Sequence, residues 1–335
     1  MQSLTSSIQT VLTLLLVGGA GTVLARRKVF TPATAHGLSQ IVYRLMLPCL
    51  LFTSILESVS ISALMRWWVI PALSFGYIAA GFVAGGIIAA VVRPPAAFRR
   101  GMIASVAFAN SGYAPLSIIA ALGPQALDLF GGRPAVAEGI AYISLFLIVY
   151  SPMTWIFGYQ YLAHHKSQER WTSRIFTPPT GAVLAALVLG LIPWTRALFV
   201  GADAPLRTVF DAAGILGKAV VPCILLMIGV DLAEGPKAEH VDAKTVTGSC
   251  VGRFLLFPLI AFPAVLLLRR FGLIESRMML FVLLIESFMP VAVNLTLIHR
   301  ILGHHEKEMA SVTFWQYLVA VPAMAVWITI ALAVI

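Results

Sequence analysis

Charge is what this sequence lacks. Of its 335 residues, 11% are Asp, Glu, Lys or Arg, and only 14 of them are acidic. An ordinary soluble domain carries about 25%. Water-soluble folds cover their surface with charge, so a soluble enzyme, a nucleic-acid module and a disordered chain are poor matches. Cysteine is scarce too. Cys49, Cys223 and Cys250 each sit in or beside an apolar run, which argues against a disulfide framework or a cysteine metal knuckle. No His-Glu-x-x-His signature occurs; the nearest segment, His305-Glu306-Lys307-Glu308-Met309, breaks the pattern. No nucleophile–base arrangement is apparent either. An enzyme is not expected, and neither a metal nor a cofactor is called for.

What the chain has is apolar length. Hydrophobic residues make up 59%, and the mean hydropathy is +0.92. A membrane span needs about 20 apolar residues. Ten runs bounded by charge and turn residues fit: 7–25, 38–56, 69–92, 101–123, 139–162, 175–194, 208–232, 247–268, 278–298 and 309–334. The third run holds Gly81-x-x-x-Gly85, a spacing that lets helices approach closely but fits small residues facing lipid equally well. The net charge of +9 fits basic residues held in cytoplasmic loops better than it fits nucleic acid. Alternate loops carry 13 Lys and Arg on one side against 7 on the other, with Arg44, Lys218 and Arg253 inside spans. This bias places both termini on the non-cytoplasmic side. The first run has no basic residue before it and Arg26-Arg27-Lys28 after it, so a first membrane helix is expected rather than a cleaved signal.

The chain also repeats itself. Span two reads Arg44-Leu-Met-Leu-Pro48-Cys49 and span seven reads Lys218-Ala-Val-Val-Pro222-Cys223. Basic residue, proline and cysteine recur at one offset of 174 positions. Arg100-Gly-Met-Ile, entering span four, echoes Arg277-Met-Met-Leu, entering span nine. Two five-span halves, 1–165 and 166–335, follow. Five is odd, so the second half is inverted with respect to the first, the arrangement of secondary transporters whose substrate site lies at the midplane between repeats.

Spans four and nine are poor uninterrupted helices. Span four contains Asn110-Ser111-Gly112-Tyr113-Ala-Pro115, and span nine contains Glu286-Ser287-Phe-Met289-Pro290-Val291-Ala-Val-Asn294. Proline lacks an N–H and clashes with the carbonyl one turn back. Backbone groups freed in a membrane must be satisfied inside the protein or in a water-filled cavity. Paired interruptions in matching positions of two halves point to a transport site. Half-helix N-termini carry unpaired N–H groups and partial positive charge, which suit a carboxylate. The amides of Asn110 and Asn294 can donate to the same oxygens. A charge at mid-span is costly, which singles out Glu286 as a proton carrier, a partner of Arg253 or a buried neutral acid. Arg44 and Lys218, before prolines at equivalent sites, fit a structural role better than setting the potential near a substrate or snorkelling to an interface. His164-His165 and His304-His305 fit solvated loops better than a metal pair.

At these residues the chain resembles the auxin efflux carrier family, and within it the intracellular PIN-LIKES branch. Asn110-x-Gly112-x-x-Pro115-Leu116 is similar to the family's fourth-span motif, and Pro290-Val-Ala-Val-Asn294 to its ninth-span motif. Ile228-Gly229-Val-Asp231, Arg253-Phe-Leu-Leu-Phe-Pro258, Glu306-Lys-Glu308 and Phe314-Trp315-x-Tyr317 resemble later segments. The resemblance implies an all-α polytopic membrane protein. Its ten helices form two inverted repeats, with broken helices four and nine crossing as in bile-acid symporters and sodium/proton antiporters. It also implies scaffold spans 1, 2, 6 and 7, transport spans 3–5 and 8–10, and an elevator movement. The implied substrates are organic anions, notably indole-3-acetic acid, and the implied partners are that small molecule and the bilayer, with no nucleic acid. A homodimer is left open. The short segment 163–174 is more like the endoplasmic-reticulum type than the plasma-membrane type, which stands as the alternative. The chain departs from the family at Tyr113, where a second asparagine is common, at Val291, in place of a second proline, and at Glu286, in place of an uncharged polar residue.

Overall fold

The computed structural model describes residues 16–58, 61–120, 129–130, 134–163, 178–233 and 241–335. His164 and His165 lie outside them. The described residues are helical, with one isolated antiparallel bridge and no named strand among them. That is what a bilayer demands, because a helix satisfies its own backbone where no water can.

Six of these helices are long and apolar enough to cross a membrane: Ala33–Glu57, Val69–Val92, Glu138–Ala163, Arg207–Met227, Ala243–Arg270 and Glu306–Ala333. Two other expected runs are shorter where described, as Leu16–Arg26 and Pro178–Leu191. The runs 101–123 and 278–298 are not continuous. Each is split into half-helices, Arg99–Ala107 with Tyr113–Ala120 and Arg277–Glu286 with Asn294–Leu302.

Val69–Val92 is apolar on every side, and the two sides do different things. Phe75, Val83 and Val91 are exposed, while Gly81 and Gly85 are buried. A Cβ at Gly81 would stand 2.6 Å from the Ala107 Cα, and one at Gly85 would stand 2.9 Å from the Ile103 carbonyl oxygen. The glycine pair therefore seats the half-helix Arg99–Ala107 backbone to backbone, the close approach that this spacing permits.

Three spans contain a π-turn: Val42–Met46, Thr154–Gly158 and Gly252–Leu256. Prolines near them leave carbonyls to be satisfied from elsewhere. Pro258 cannot donate to the carbonyl of Phe254, and Trp327 Nε1 donates to that oxygen instead, at 2.7 Å.

Spans two and seven pack antiparallel. The helix Arg207–Lys218 lies on Leu47–Ser58, whereas Val220–Ala233 lies on Pro32–Ile41. Small residues again set the distance, since a Cβ on Gly217 would stand 2.8 Å from the Leu50 Cα. Leu16–Arg26 closes on the same unit, with Thr22 Oγ1 donating to the Gly229 carbonyl at 2.9 Å. Pro178–Leu191 packs on Leu47–Ser58. Elsewhere Arg99–Ala107, Pro134–Met153 and Ala243–Val251 each pack on Val69–Val92, with Glu306–Ala333 against Ala243–Val251.

Candidate functional site

The two interruptions meet. Residues 108–112 and 287–293 leave the helical path, and Ala109 pairs with Val291 in the antiparallel bridge. Asn110 N donates to the Pro290 carbonyl at 2.7 Å, and Ala292 N donates to the Phe108 carbonyl at 3.0 Å. Two backbone segments that gave up helical bonds thus use each other as partners, deep in the protein.

The remaining freed groups find side chains. The Tyr150 hydroxyl accepts from Ala109 N at 2.6 Å and donates to the Ala107 carbonyl at 3.1 Å. Gln316 Oε1 accepts from Val291 N at 2.9 Å. The amide nitrogen of Gln316 donates to Ser249 Oγ at 2.7 Å and to the Ser105 carbonyl at 3.2 Å. The Ser105 and Ser249 hydroxyls share a hydrogen bond of 2.6 Å. Asn110 Nδ2 donates to the Tyr317 hydroxyl at 2.8 Å. Leaving such backbone groups unpaired in an apolar medium is costly, and these side chains remove that cost.

The two prolines occupy different places in the breaks. Pro115 lies in the first turn of Tyr113–Ala120, where its missing N–H has no intrahelical partner to lose. Pro290 lies in the break itself and offers its carbonyl to Asn110. The interruption falls before Pro115 because Asn110, Ser111 and Gly112 tolerate non-helical backbone.

Arg253 closes the opposite ends of the half-helices. It is fully buried on the π-turn Gly252–Leu256. Its guanidinium donates to the carbonyls of Val106 at 3.0 Å, Glu286 at 3.1 Å, and Met289. It also lies 4.6 Å from the centre of the Phe257 ring. Val106 and Glu286 lie in the last turn of the first half-helix of each pair, where carbonyls are orphaned and carry partial negative charge. One planar cation answers both ends. Of the three alternatives for Glu286, a bond from Arg253 to its carboxylate does not form: the guanidinium meets the main-chain carbonyl of Glu286 instead. Both carboxyl oxygens of Glu286 are buried with no hydrogen-bond partner among the described residues, and so is the Ser111 hydroxyl. Tyr77 supports the same half-helix by donating to the Leu283 carbonyl at 2.6 Å.

A cavity of about 320 Å³ lies on the other side of the crossing. Small-molecule sites run from roughly 300 to 1,000 Å³. Of the residues singled out from sequence, Asn110, Ser111, Gly112, Asn294 and Lys218 line it. Tyr150, Ser144, Leu50, Ile55 and Glu57 line it as well. Pro115, Pro290 and Val291 do not; they shape the backbone behind the wall. The Tyr113 side chain lies outside the described atoms, although its backbone opens the second half-helix. Glu286 and Arg253 sit behind the crossing, and Arg44 stands away from the cavity on the turn Val42–Met46. The N-termini of Tyr113–Ala120 and Asn294–Leu302 both border the cavity through Gly112, Val293 and Asn294.

The family described as "Membrane transport protein" matches residues 6–173 and 164–328. The chain belongs to this family. Among its relatives, Protein PIN-LIKES 1 of Arabidopsis thaliana is 28% identical, over 97% of this chain and 78% of the relative. Protein PIN-LIKES 2 of the same plant is 25% identical, over 89% of this chain and 87% of the relative. An uncharacterized transporter of Saccharomyces cerevisiae is 27% identical over 45% of this chain and 37% of its own length. The chain is therefore a membrane-embedded transporter by family, as its sequence resemblance implied.

Sequence reasoning passed over Gln316, Tyr150, Ser105 and Ser249, which hold the crossing. A signal was available for the first, since a glutamine inside an apolar span is expensive unless it is bonded. The serines gave none, because small hydroxyl residues are ordinary in membrane helices. His304 and His305 also differ from the solvated pair expected. They are half-buried, and their rings gather with that of buried His299, at centroid distances of 5.3 to 6.4 Å, with Phe98 against His299 and His305. Among the described residues no group of His, Cys, Asp or Glu could hold a metal ion.

Proposed function

We propose that this chain is a secondary transporter of small organic anions, foremost auxin-like aromatic carboxylates such as indole-3-acetic acid. The single observation that carries the proposal is the pairing of Ala109 with Val291 beside a cavity bordered by two helix N-termini and Asn294. Such termini present partial positive charge to an anion, with the Leu295 and Thr296 N–H groups already bonded to the Ala292 and Val293 carbonyls. The apolar wall from Leu50, Ile55, Leu147 and Ile148 suits an aromatic ring.

The ten expected spans form two inverted five-helix repeats, 1–165 and 166–335. The antiparallel packing of spans two and seven supports that relation. Spans 1, 2, 6 and 7 act as scaffold and spans 3–5 and 8–10 as the moving transport unit. The crossing is bonded within the second group, through Tyr150, Gln316, Tyr317 and Arg253, which supports its travelling as one body. The setting is the endoplasmic-reticulum membrane, or the plasma membrane as the alternative, with both termini non-cytoplasmic. Binding of a panel of aromatic carboxylates to the purified protein tests the substrate class. Saturable binding of indole-3-acetate, with neutral indole derivatives excluded, is the expected result. Absence of binding by every carboxylate would refute it.

A second reading has its own observation. Glu286 is buried beside the crossing with neither carboxyl oxygen bonded among the described residues. A buried acid of this kind is where a proton gradient could act, making the carrier a proton- or sodium-coupled symporter or exchanger. Glu286→Gln should then abolish concentrative uptake while downhill exchange persists, as measured in proteoliposomes with an imposed pH or sodium gradient. Uptake indifferent to both gradients would leave the membrane potential as the driving force, worth about 2.3 kcal/mol per 100 mV for a monovalent anion.

A further inference from the structure

Lys218 lines the cavity, and the repeat gives it a counterpart. Both Lys218 and Arg44 stand four residues before a proline and five before a cysteine. Both sit where their span leaves the regular α-helix. Lys218 ends the helix Arg207–Lys218, ahead of Val220–Ala233, and Arg44 occupies the π-turn Val42–Met46 between Pro32–Ile41 and Leu47–Ser58. Each proline removes the N–H that would bond the carbonyl of the cation itself. Both side chains are exposed, and no carboxylate among the described residues lies within 4.0 Å of either. An unpaired intramembrane cation is costly and marks a path for charge. Because spans two and seven run antiparallel, the two cations are displaced toward opposite faces. Lys218 borders the cavity and Arg44 does not.

We propose that Lys218 and Arg44 are a repeat-related pair of cations that meet the substrate carboxylate in turn, Lys218 in the state seen here and Arg44 in the opposite-facing state. This rests on the carrier reading above and adds to it the scaffold residues that recognise the anion. In an inverted repeat the second state arises when the halves exchange conformations. The surroundings of Lys218 then become those of Arg44. Asn110 and Asn294 travel with the substrate, whereas the cation is met only on arrival at either face. The anion thus crosses without carrying a protein cation along, and it finds a counter-charge at both ends.

Glu57, which also lines the cavity, offers a competing partner for Lys218. The experiment separates the two roles. Half-saturation by indole-3-acetate is measured from each face, in right-side-out and inside-out vesicles of the full-length protein. Losing one charged hydrogen bond weakens binding by about tenfold or more. Lys218→Gln should raise half-saturation by about tenfold from one face only, and Arg44→Gln from the other, by the same reasoning. Lys218→Arg and Arg44→Lys should stay near wild type. If Lys218→Gln fails to fold, judged by size-exclusion profile and melting, Lys218→Met supplies a second charge-removing variant. Wild-type half-saturation in both glutamine variants would overturn the pair, as would equal effects at both faces. Recovery of affinity in Glu57→Gln/Lys218→Gln would overturn it too, since Lys218 would then serve Glu57. A wild-type protein with no saturable carriage of any carboxylate would instead refute the carrier reading itself.

Discussion

Arg253→Ala is expected to cost at least about 3 kcal/mol of stability, because each buried acceptor left unpaired costs about 1–3 kcal/mol. The guanidinium serves the carbonyls of Val106, Glu286 and Met289 at once. Total stability of a folded domain is of order 5–15 kcal/mol, so the loss is a large share. The expected readout is a sharply lowered melting point in detergent and a broadened size-exclusion peak. Arg253→Lys should fall between, since an ammonium has the charge but lacks the fork that spans three acceptors. The partial negative ends of Arg99–Ala107 and Arg277–Glu286 would still find a cation, though with fewer bonds. An alanine variant that melts and elutes like wild type would show that the crossing does not need its cation.

The second large effect is on transport rather than folding. On the proposed carrier function, Asn294→Ala should reduce uptake of the anion, with indole-3-acetate as the probe, by about ten- to a hundredfold, the worth of a hydrogen bond to a charged group. Asn294 lines the cavity at the start of its half-helix, and among the described residues no protein group engages its amide. Its removal should therefore leave the melting point near wild type. Asn110→Ala should impair uptake as well, but with a folding penalty of about 1–2 kcal/mol, because the buried Tyr317 hydroxyl loses its donor. The contrast between the two asparagines is the useful measurement. Uptake at wild-type level in both variants would take the crossing out of the mechanism.

How far the sequence reached can be judged from these residues. The breaks in spans four and nine were legible because Asn, Ser, Gly and Pro cluster where helix interiors avoid them. The Gly81–Gly85 spacing fitted a close helix contact and small residues facing lipid equally well, and the structure seats Arg99–Ala107 against it. Lys218 was noticed as an intramembrane cation and read as structural in preference to a role near the substrate, whereas it lines the cavity. Arg253 was noticed too, but its target was not. A sequence shows that a buried cation needs acceptors and does not show whether they are a carboxylate or main-chain oxygens.

The sequence by itself determined that the chain lives in a bilayer, where its helices break, and that its halves echo each other, since composition, local backbone preference and a fixed offset need no partner to be read. Tertiary structure decided which breaks face each other, which side chains take up the freed N–H and carbonyl groups, and which polar residues are left facing the cavity. The reason is physical. Backbone groups released in an apolar medium must be satisfied, but any donor or acceptor brought within about 3 Å will do. Only the packing of distant spans selects Tyr150, Gln316 and Arg253 from the candidates.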